Sequence, residues 1–169
     1  MNLSKDQFFS LILDHKKIIY KICHSYCRTP EDKQDLEQEI ILQLWKSAER
    51  YDVQHKVSTW IYRIALNVAI SFLRGEKNRK KRIAPVDQSI IELVEDERSL
   101  GGAGDEIEAL YHFINQLDQL NRALMLLYLD DYSYEEIAEI LGISKTNVGT
   151  KVSRIKERLQ REFLGENNV

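Results

Sequence analysis

Three groups of residues have the types and spacing to do chemistry. Lys145, Thr146 and Asn147 stand in a row, followed by Lys151 and Arg154. Amide, hydroxyl and cationic groups at that spacing suit the DNA major groove, where Asn and Lys read base edges while Lys and Arg take phosphates. Asp32, Asp35 and Glu39 fall on one side of a helix and could in principle hold magnesium, but nothing nearby completes a nuclease site. Cys23 and Cys27 lie one helical turn apart with His24 between them. A zinc site needs four ligands in tetrahedral geometry, so the pair reads as two small buried hydrophobes in a reducing compartment. No metal or other cofactor is expected, and the chain is not read as an enzyme.

The DNA-reading residues need a platform, and the sequence around them supplies one. In SYEEIAEILGISKTNVGTKVSRIKERLQREF, Ser133 and Glu136 have the spacing of a capping box, and Ile137, Ile140 and Leu141 form one apolar face. Gly142 suits a left-handed helix end, and Ser144 offers the next N-cap. The second helix turns Val148, Val152, Ile155 and Leu159 inward and leaves Lys145, Thr146, Asn147, Lys151, Arg154, Lys156, Arg158 and Arg161 on or near its outside. Six cations against Glu157 and Glu162 give this stretch a local excess of positive charge in a chain of net charge −3. Charge segregated in this way favours a nucleic-acid partner over a merely solvated face.

The first half of the chain is patterned as helices too. A stripe of Phe8, Leu11, Ile12, His15, Ile18, Ile19, Ile22 and Tyr26 runs from Asp6 to Tyr26. Thr29 and Pro30 open a second helix, with Leu36, Ile40, Ile41, Leu44, Trp45 and Ala48 inward and an acidic, amide-rich outer face of Asp32, Asp35, Gln38, Glu39 and Gln43 that fits a basic protein partner. After a loop at DVQHKVS, a third helix from Thr59 to about Arg74 buries Trp60, Ile61, Ile64, Ala65, Val68, Ala69 and Phe72. Its other face presents Thr59, Tyr62, Arg63, Asn67, Ser71 and Arg74, a mixture of ring, amide and cation suited to single-stranded bases. The four cations from Arg79 to Arg82 continue it as a phosphate track.

Composition bounds the architecture. With 169 residues, only two prolines and little period-two alternation, the expected fold is all-α, arranged as two small helical domains. Charge alternates by block: residues 1 to 82 hold 16 Lys and Arg against 10 Asp and Glu, residues 83 to 132 hold 2 against 11, and residues 133 to 169 hold 6 of each. The acidic middle, ending in a glycine cluster, reads as a flexible linker over residues 84–104 between a first domain at 1–83 and a second at 105–169, where Asp118 is placed to cap a helix carrying Ala123, Leu124, Leu127 and Tyr128. No signal peptide and no apolar run long enough for a membrane span is present, so a cytoplasmic location is expected.

Three blocks together, DLEQEIILQLW, STWIYRIALNVAISFLR with its basic tail, and SYEEIAEILGISKTNVGTKVSRIKERL, resemble the small alternative sigma factors of bacterial RNA polymerase, the extracytoplasmic-function group. The resemblance spans the whole chain. It implies a first domain that binds core polymerase and melts the promoter's minus-ten element, and a second that reads the minus-thirty-five element. Carried over by position, it assigns Asp35, Gln38 and Glu39 to polymerase binding. It assigns the loop from Asp52 to Ser58, with Lys56 and Ser58, then Trp60, Arg63, Asn67, Arg74, Arg79 and Lys80 to the minus-ten DNA. Lys145, Thr146, Asn147, Lys151 and Arg154 fall to the minus-thirty-five DNA. An anti-sigma factor is an expected further partner. Ser71 departs from the family pattern, where an acidic residue is frequent, as do Asp118, where proline is common, and Gly149, where a basic residue is frequent. A helix-turn-helix regulator that does not join the polymerase would explain the C-terminal half equally well, but it leaves the faces around Gln38 and Trp60 without a purpose.

Overall fold

The computed structural model describes residues 3–80 and 104–166, with side chains followed to residue 75 in the first stretch and to residue 165 in the second. Every regular element among the described residues is helical. The chain divides into two compact units, the second beginning at Gly104. The expected linker therefore lies outside the described residues except for Gly104, as do Lys81 and Arg82 of the basic run.

The first unit holds α1 (Lys5–Asp14), α2 (Lys16–Tyr26), α3 (Pro30–Ser47), a 3-10 turn (Ala48–Arg50) and α4 (Val57–Lys80). The apolar stripe from Asp6 to Tyr26 is split into two helices at His15, whose backbone leaves the helical region at φ −115°, ψ 14°. There the ring Nδ1 of His15 lies 3.0 Å from the Leu11 carbonyl oxygen. Local chemistry sets the other boundaries. Ser4 and Gln7 form a capping box at α1, and Thr29 Oγ1 accepts from the Asp32 amide at 3.1 Å with Pro30 in the first turn of α3.

Helix α4 packs against both α2 and α3, and that position turns its buried arc to Ile61, Tyr62, Ala65, Leu66 and Ala69. Two residues expected on the outer face are thereby corrected: Tyr62 is 1% exposed and Thr59 8%. Trp60, expected inside, is half-buried instead. Trp45 is likewise turned outward, 39% exposed and edge-on to Phe8 with ring centroids 4.9 Å apart. Packing against two neighbours turned the helix, so the buried arc is rotated by about one residue from the expected stripe and leaves Ile64, Val68 and Phe72 half-buried.

The second unit holds α5 (Asp105–Gln116), α6 (Gln119–Leu129), α7 (Tyr134–Leu141) and α8 (Lys145–Glu166). Asp118 caps α6 as expected, accepting from the Asn121 amide at 2.9 Å. Five consecutive residues of α6, Ala123 to Leu127, are buried, a helix enclosed nearly all round by α5, α7 and α8. Met125 and Leu126 thus join the core, while Tyr128 stays half-buried. Asp131, in the turn after α6, takes a positive φ of 61°, which short polar residues tolerate.

Both cysteines are buried, and neither forms a disulfide. Burial, reinforced by the charge of Glu37, pushes the Cys23 thiol up to about 12. Because the folded chain holds that proton more tightly than the unfolded chain does, the contribution is complete below about pH 9 and is lost as pH rises toward about 12. Cys23 in the native protein should therefore resist iodoacetamide at pH 8 and react after unfolding in guanidinium, as peptide mapping by mass spectrometry would reveal. Rapid native labelling would contradict this.

Two glycines of the second unit call for opposite responses to one substitution. Gly142 ends α7 at φ 69°, so Gly142→Ala should destabilise by about 1–2 kcal/mol. Gly149 sits inside α8, where an added Cβ would meet only the Tyr134 ring at 3.7 Å, ordinary contact. Gly149→Ala should stabilise by up to about 1 kcal/mol through helix propensity. Denaturant midpoints of the two variants should move in opposite directions.

Candidate nucleic-acid interface

The second unit's surface starts from two caps and a tight turn. The Ser133 amide donates to Glu136 Oε2 at 2.8 Å, and the Glu136 amide donates to Ser133 Oγ at 3.1 Å. Gly142 then reverses the chain in the left-handed region, and the Asn147 amide donates to Ser144 Oγ at 3.1 Å. Burial of Val148, Val152 and Ile155 fixes the rotation of α8. It leaves Thr146, Asn147, Thr150, Ser153, Arg154 and Glu157 exposed on the opposite side. Thr150 Oγ1 donates back to the Thr146 carbonyl at 3.0 Å. Thr150 and Ser153 escaped the sequence reading, although Thr150 stands three or four from Thr146, Asn147 and Arg154, and Ser153 stands three from Thr150 and seven from Thr146, which placed both on the same face.

The six cations of α8 do different work. Lys145 Nζ pairs with Glu135 Oε1 at 2.9 Å. Lys156 Nζ lies 4.7 Å from the Tyr128 ring centroid, and a hydrogen bond with the Tyr128 side chain raises its pKa. Arg158 pairs with Glu162 at 2.9 Å and sits over Phe113 at 5.4 Å. Lys156 and Arg158, expected on a free outer face, are engaged by their own unit. Lys151, Arg154 and Arg161 make no ion pair among the described residues. Gly149, at the family's often basic position, faces Tyr134 rather than the exposed side.

On the first unit, α4 carries Trp60, Arg63, Asn67, Ser71 and Arg74 at spacings of three and four, so they share one face. Asn67, Ser71 and Arg74 are exposed, and Trp60 and Arg63 half-buried. Ser58 is half-buried at the start of the helix and Lys56 exposed just before it. Arg79 and Lys80 belong to the last turn of α4. The loop ahead of the helix is pinned by Tyr51, whose hydroxyl donates to the His55 carbonyl at 2.6 Å and whose ring packs 5.0 Å from that of Trp60. The Gln54 amide donates to Asp52 Oδ1 at 3.0 Å. Val53 projects from this loop, 65% exposed. Tyr51 and Val53 were not singled out from sequence; an apolar residue in a polar loop was the available signal.

The third face lies on α3. Asp35 and Gln38 are exposed, and Glu39 is half-buried with its Oε1 accepting from Gln43 Nε2 at 3.0 Å. Gln38 also borders a groove of about 440 Å³ lined by Phe8, Phe9, Ile41, Leu42 and Trp45. Polar groups beside an exposed apolar patch are the anatomy of a protein-binding surface. Asp32, Asp35 and Glu39 form no metal-holding cluster, and there is none among the described residues. No helix among those residues is long and apolar enough to cross a membrane.

Comparison with known proteins follows the same division. Residues 11–79 match the family description Sigma-70 region 2, and residues 107–159 match Sigma-70, region 4. The chain is 26% identical over 168 residues to ECF RNA polymerase sigma factor SigW of Bacillus subtilis, covering 94% of this chain and 90% of that protein. It is 29% identical over 166 residues to RNA polymerase sigma factor SigV of the same organism, covering 96% and 95%. Among solved structures it is similar to the sigma factor RpoE in complex with the anti-sigma factor NepR from Bartonella quintana, with TM-score 0.67, 20% identity and coverage of 94% and 96%. CnrH in complex with the cytosolic domain of CnrY also has TM-score 0.67, at 18% identity and coverage of 96% and 90%. With both regions in order along nearly the full length of these relatives, the chain belongs to the extracytoplasmic-function sigma factors.

Proposed function

We propose that the chain is an alternative sigma factor that joins core RNA polymerase, directs it to specific promoters and assists strand opening at the start of transcription. The observation that carries this is the pairing of a Sigma-70 region 2 with a Sigma-70 region 4 in one chain, each with an exposed polar face suited to its task. Its action is binding and distortion of DNA rather than catalysis by a reactive group, and its place of work is the cytoplasm, where the polymerase is. An anti-sigma factor is the regulatory partner, in keeping with the solved relatives crystallised with NepR and with CnrY.

In this reading Asp35, Gln38 and Glu39 meet the polymerase, with the neighbouring groove of Phe9, Leu42 and Trp45 supplying apolar area. Lys56, Ser58, Trp60, Arg63, Asn67 and Arg74 meet the minus-ten region. The half-exposed Trp60 ring supports a stacking role that the buried Tyr62 cannot fill, and Arg79 and Lys80, in the last turn of α4, are assigned to backbone phosphates. Thr146, Asn147, Lys151 and Arg154 meet the minus-thirty-five element. Lys145 contributes least there, since Glu135 holds it.

The direct test is reconstitution with core polymerase followed by transcription from a promoter library; failure to bind core polymerase would overturn the proposal. Two variant sets probe the faces. Gln38→Ala combined with Glu39→Lys should weaken core binding by about tenfold or more, the scale of an interface hot spot, without altering the thermal midpoint. Equal affinity of parent and double variant would remove α3 from that interface. Lys151→Ala and Arg154→Ala should each make the salt dependence of upstream-element binding shallower by about 0.9 in slope if one phosphate contact is lost, whereas Asn147→Ala should relax preference at one base position by about 1–3 kcal/mol. Slopes and preferences matching the parent throughout would exclude α8 as the reading helix.

A further inference from the structure

One helix of the first unit carries a surface that these assignments leave unused. From His15 to Thr29 the sequence contains Lys16, Lys17, Lys21 and Arg28 and no Asp or Glu, although the neighbouring α3 is rich in acids. At 100° per residue, Lys16, Lys17 and Lys21 with Tyr20 and His24 fall on one side of α2, away from Ile19, Ile22 and Tyr26 in the core. Tyr20 is 68% exposed, and its ring stacks on that of His24 with centroids 5.3 Å apart and planes 22° from parallel. Burial and the charge of Lys33 lower the His24 pKa, which favours a neutral, stackable ring at pH 7. A groove of about 370 Å³ runs beside the stack, bordered by Pro30, Lys33, Gln34 and Glu37.

Helix stability does not account for this face. Lysines in a first helical turn oppose the helix dipole, α2 begins without an acidic residue there, and its N-cap His15 makes no side-chain capping bond. By contrast α1, α3 and α7 are each capped by a hydroxyl. Cations in the first turn combined with no side-chain cap set this start apart from those three, so local helix stability gives the face no purpose of its own.

We infer that the Lys16, Lys17, Tyr20, His24 stripe of α2 is a second contact for single-stranded DNA, the lysines taking phosphates and the ring pair offering a platform for a base. Cations alone would serve an acidic protein surface, but an exposed stacked ring pair among them fits unpaired bases, whose faces are open to stacking. In duplex DNA those faces are covered. The stripe from Lys16 to His24 extends about 12 Å along the helix axis, the length of a few nucleotides. The inference rests on the reading of the chain as a promoter-opening factor. Because α2 packs against α4, a strand opened at the α4 face emerges on the unit that bears the stripe.

The test uses the full chain bound to core polymerase, with a promoter fragment unpaired around the minus-ten region and a fully paired fragment as control. Lys16→Gln with Lys17→Gln should make the salt dependence on the unpaired fragment shallower by about 1.4 in slope, from two phosphates at about 0.7 each. Tyr20→Ala should weaken that complex about tenfold, and Tyr20→Trp should retain it. Core binding and thermal midpoints should match the parent, since these side chains are exposed. Unchanged affinity and slope on the unpaired fragment would overturn the inference, and so would lost core affinity with intact DNA binding, which would assign the stripe to an acidic protein. A parent chain that binds neither core polymerase nor promoter would instead bring down the underlying reading, and this inference with it.

Discussion

Burial of α4 between α2 and α3 is the constraint on which the first unit depends. A helix packed on two sides gives up more than half its circumference to the core, and Ile61, Tyr62, Ala65, Leu66 and Ala69 take that share. What remains is a strip barely one side chain wide, and Trp60, Arg63, Asn67, Ser71 and Arg74 occupy it. The core and the proposed DNA face are therefore two readings of the same helix: shifting the packing by one residue would rotate the strip by about 100°. The ring of Tyr51 against Trp60 then couples the preceding loop to the rotation of the helix.

The second unit solves the same problem with different means. Here the enclosed helix is α6, whose run from Ala123 to Leu127 is wholly interior, and α8, the proposed reading helix, packs against it. Orientation of α8 comes from Val148, Val152 and Ile155 beneath it and from the turn at Gly142 in front. Surface charges play a lesser part in holding it. The Lys145 pair with Glu135 is highly exposed on both sides, and such pairs contribute at most about 1 kcal/mol.

Much of this was legible in the sequence because it is local. The Ser133 capping box, the Thr29 and Pro30 start, the Asp118 cap and the glycine turn depend on residues within four positions of one another, and each formed where the spacing indicated. What could not be read was set by neighbours distant in the chain. Periodicity places a side chain on a face but does not say how many helices cover that face, so Tyr62 and Thr59 went inside and Trp60 and Trp45 came partly out. The same limit applied to charge. Counting cations on α8 could not reveal that Lys156 would lie over Tyr128 or that Arg158 would turn toward Phe113 and Glu162. The break at His15 was hidden because the apolar stripe runs on across it.

The rotation of α8 separates two kinds of position completely enough to matter over generations. Thr146, Asn147, Thr150, Ser153 and Arg154 are all exposed, and substitutions at such surface positions usually change stability by no more than about 0.5 kcal/mol. The residues beneath them hold the helix in place without meeting the partner. If the proposed reading face is the one used, a lineage carrying this fold can alter which sequences it recognises by single replacements that leave the chain folded, and duplicated copies can diverge in target without first acquiring a more stable core.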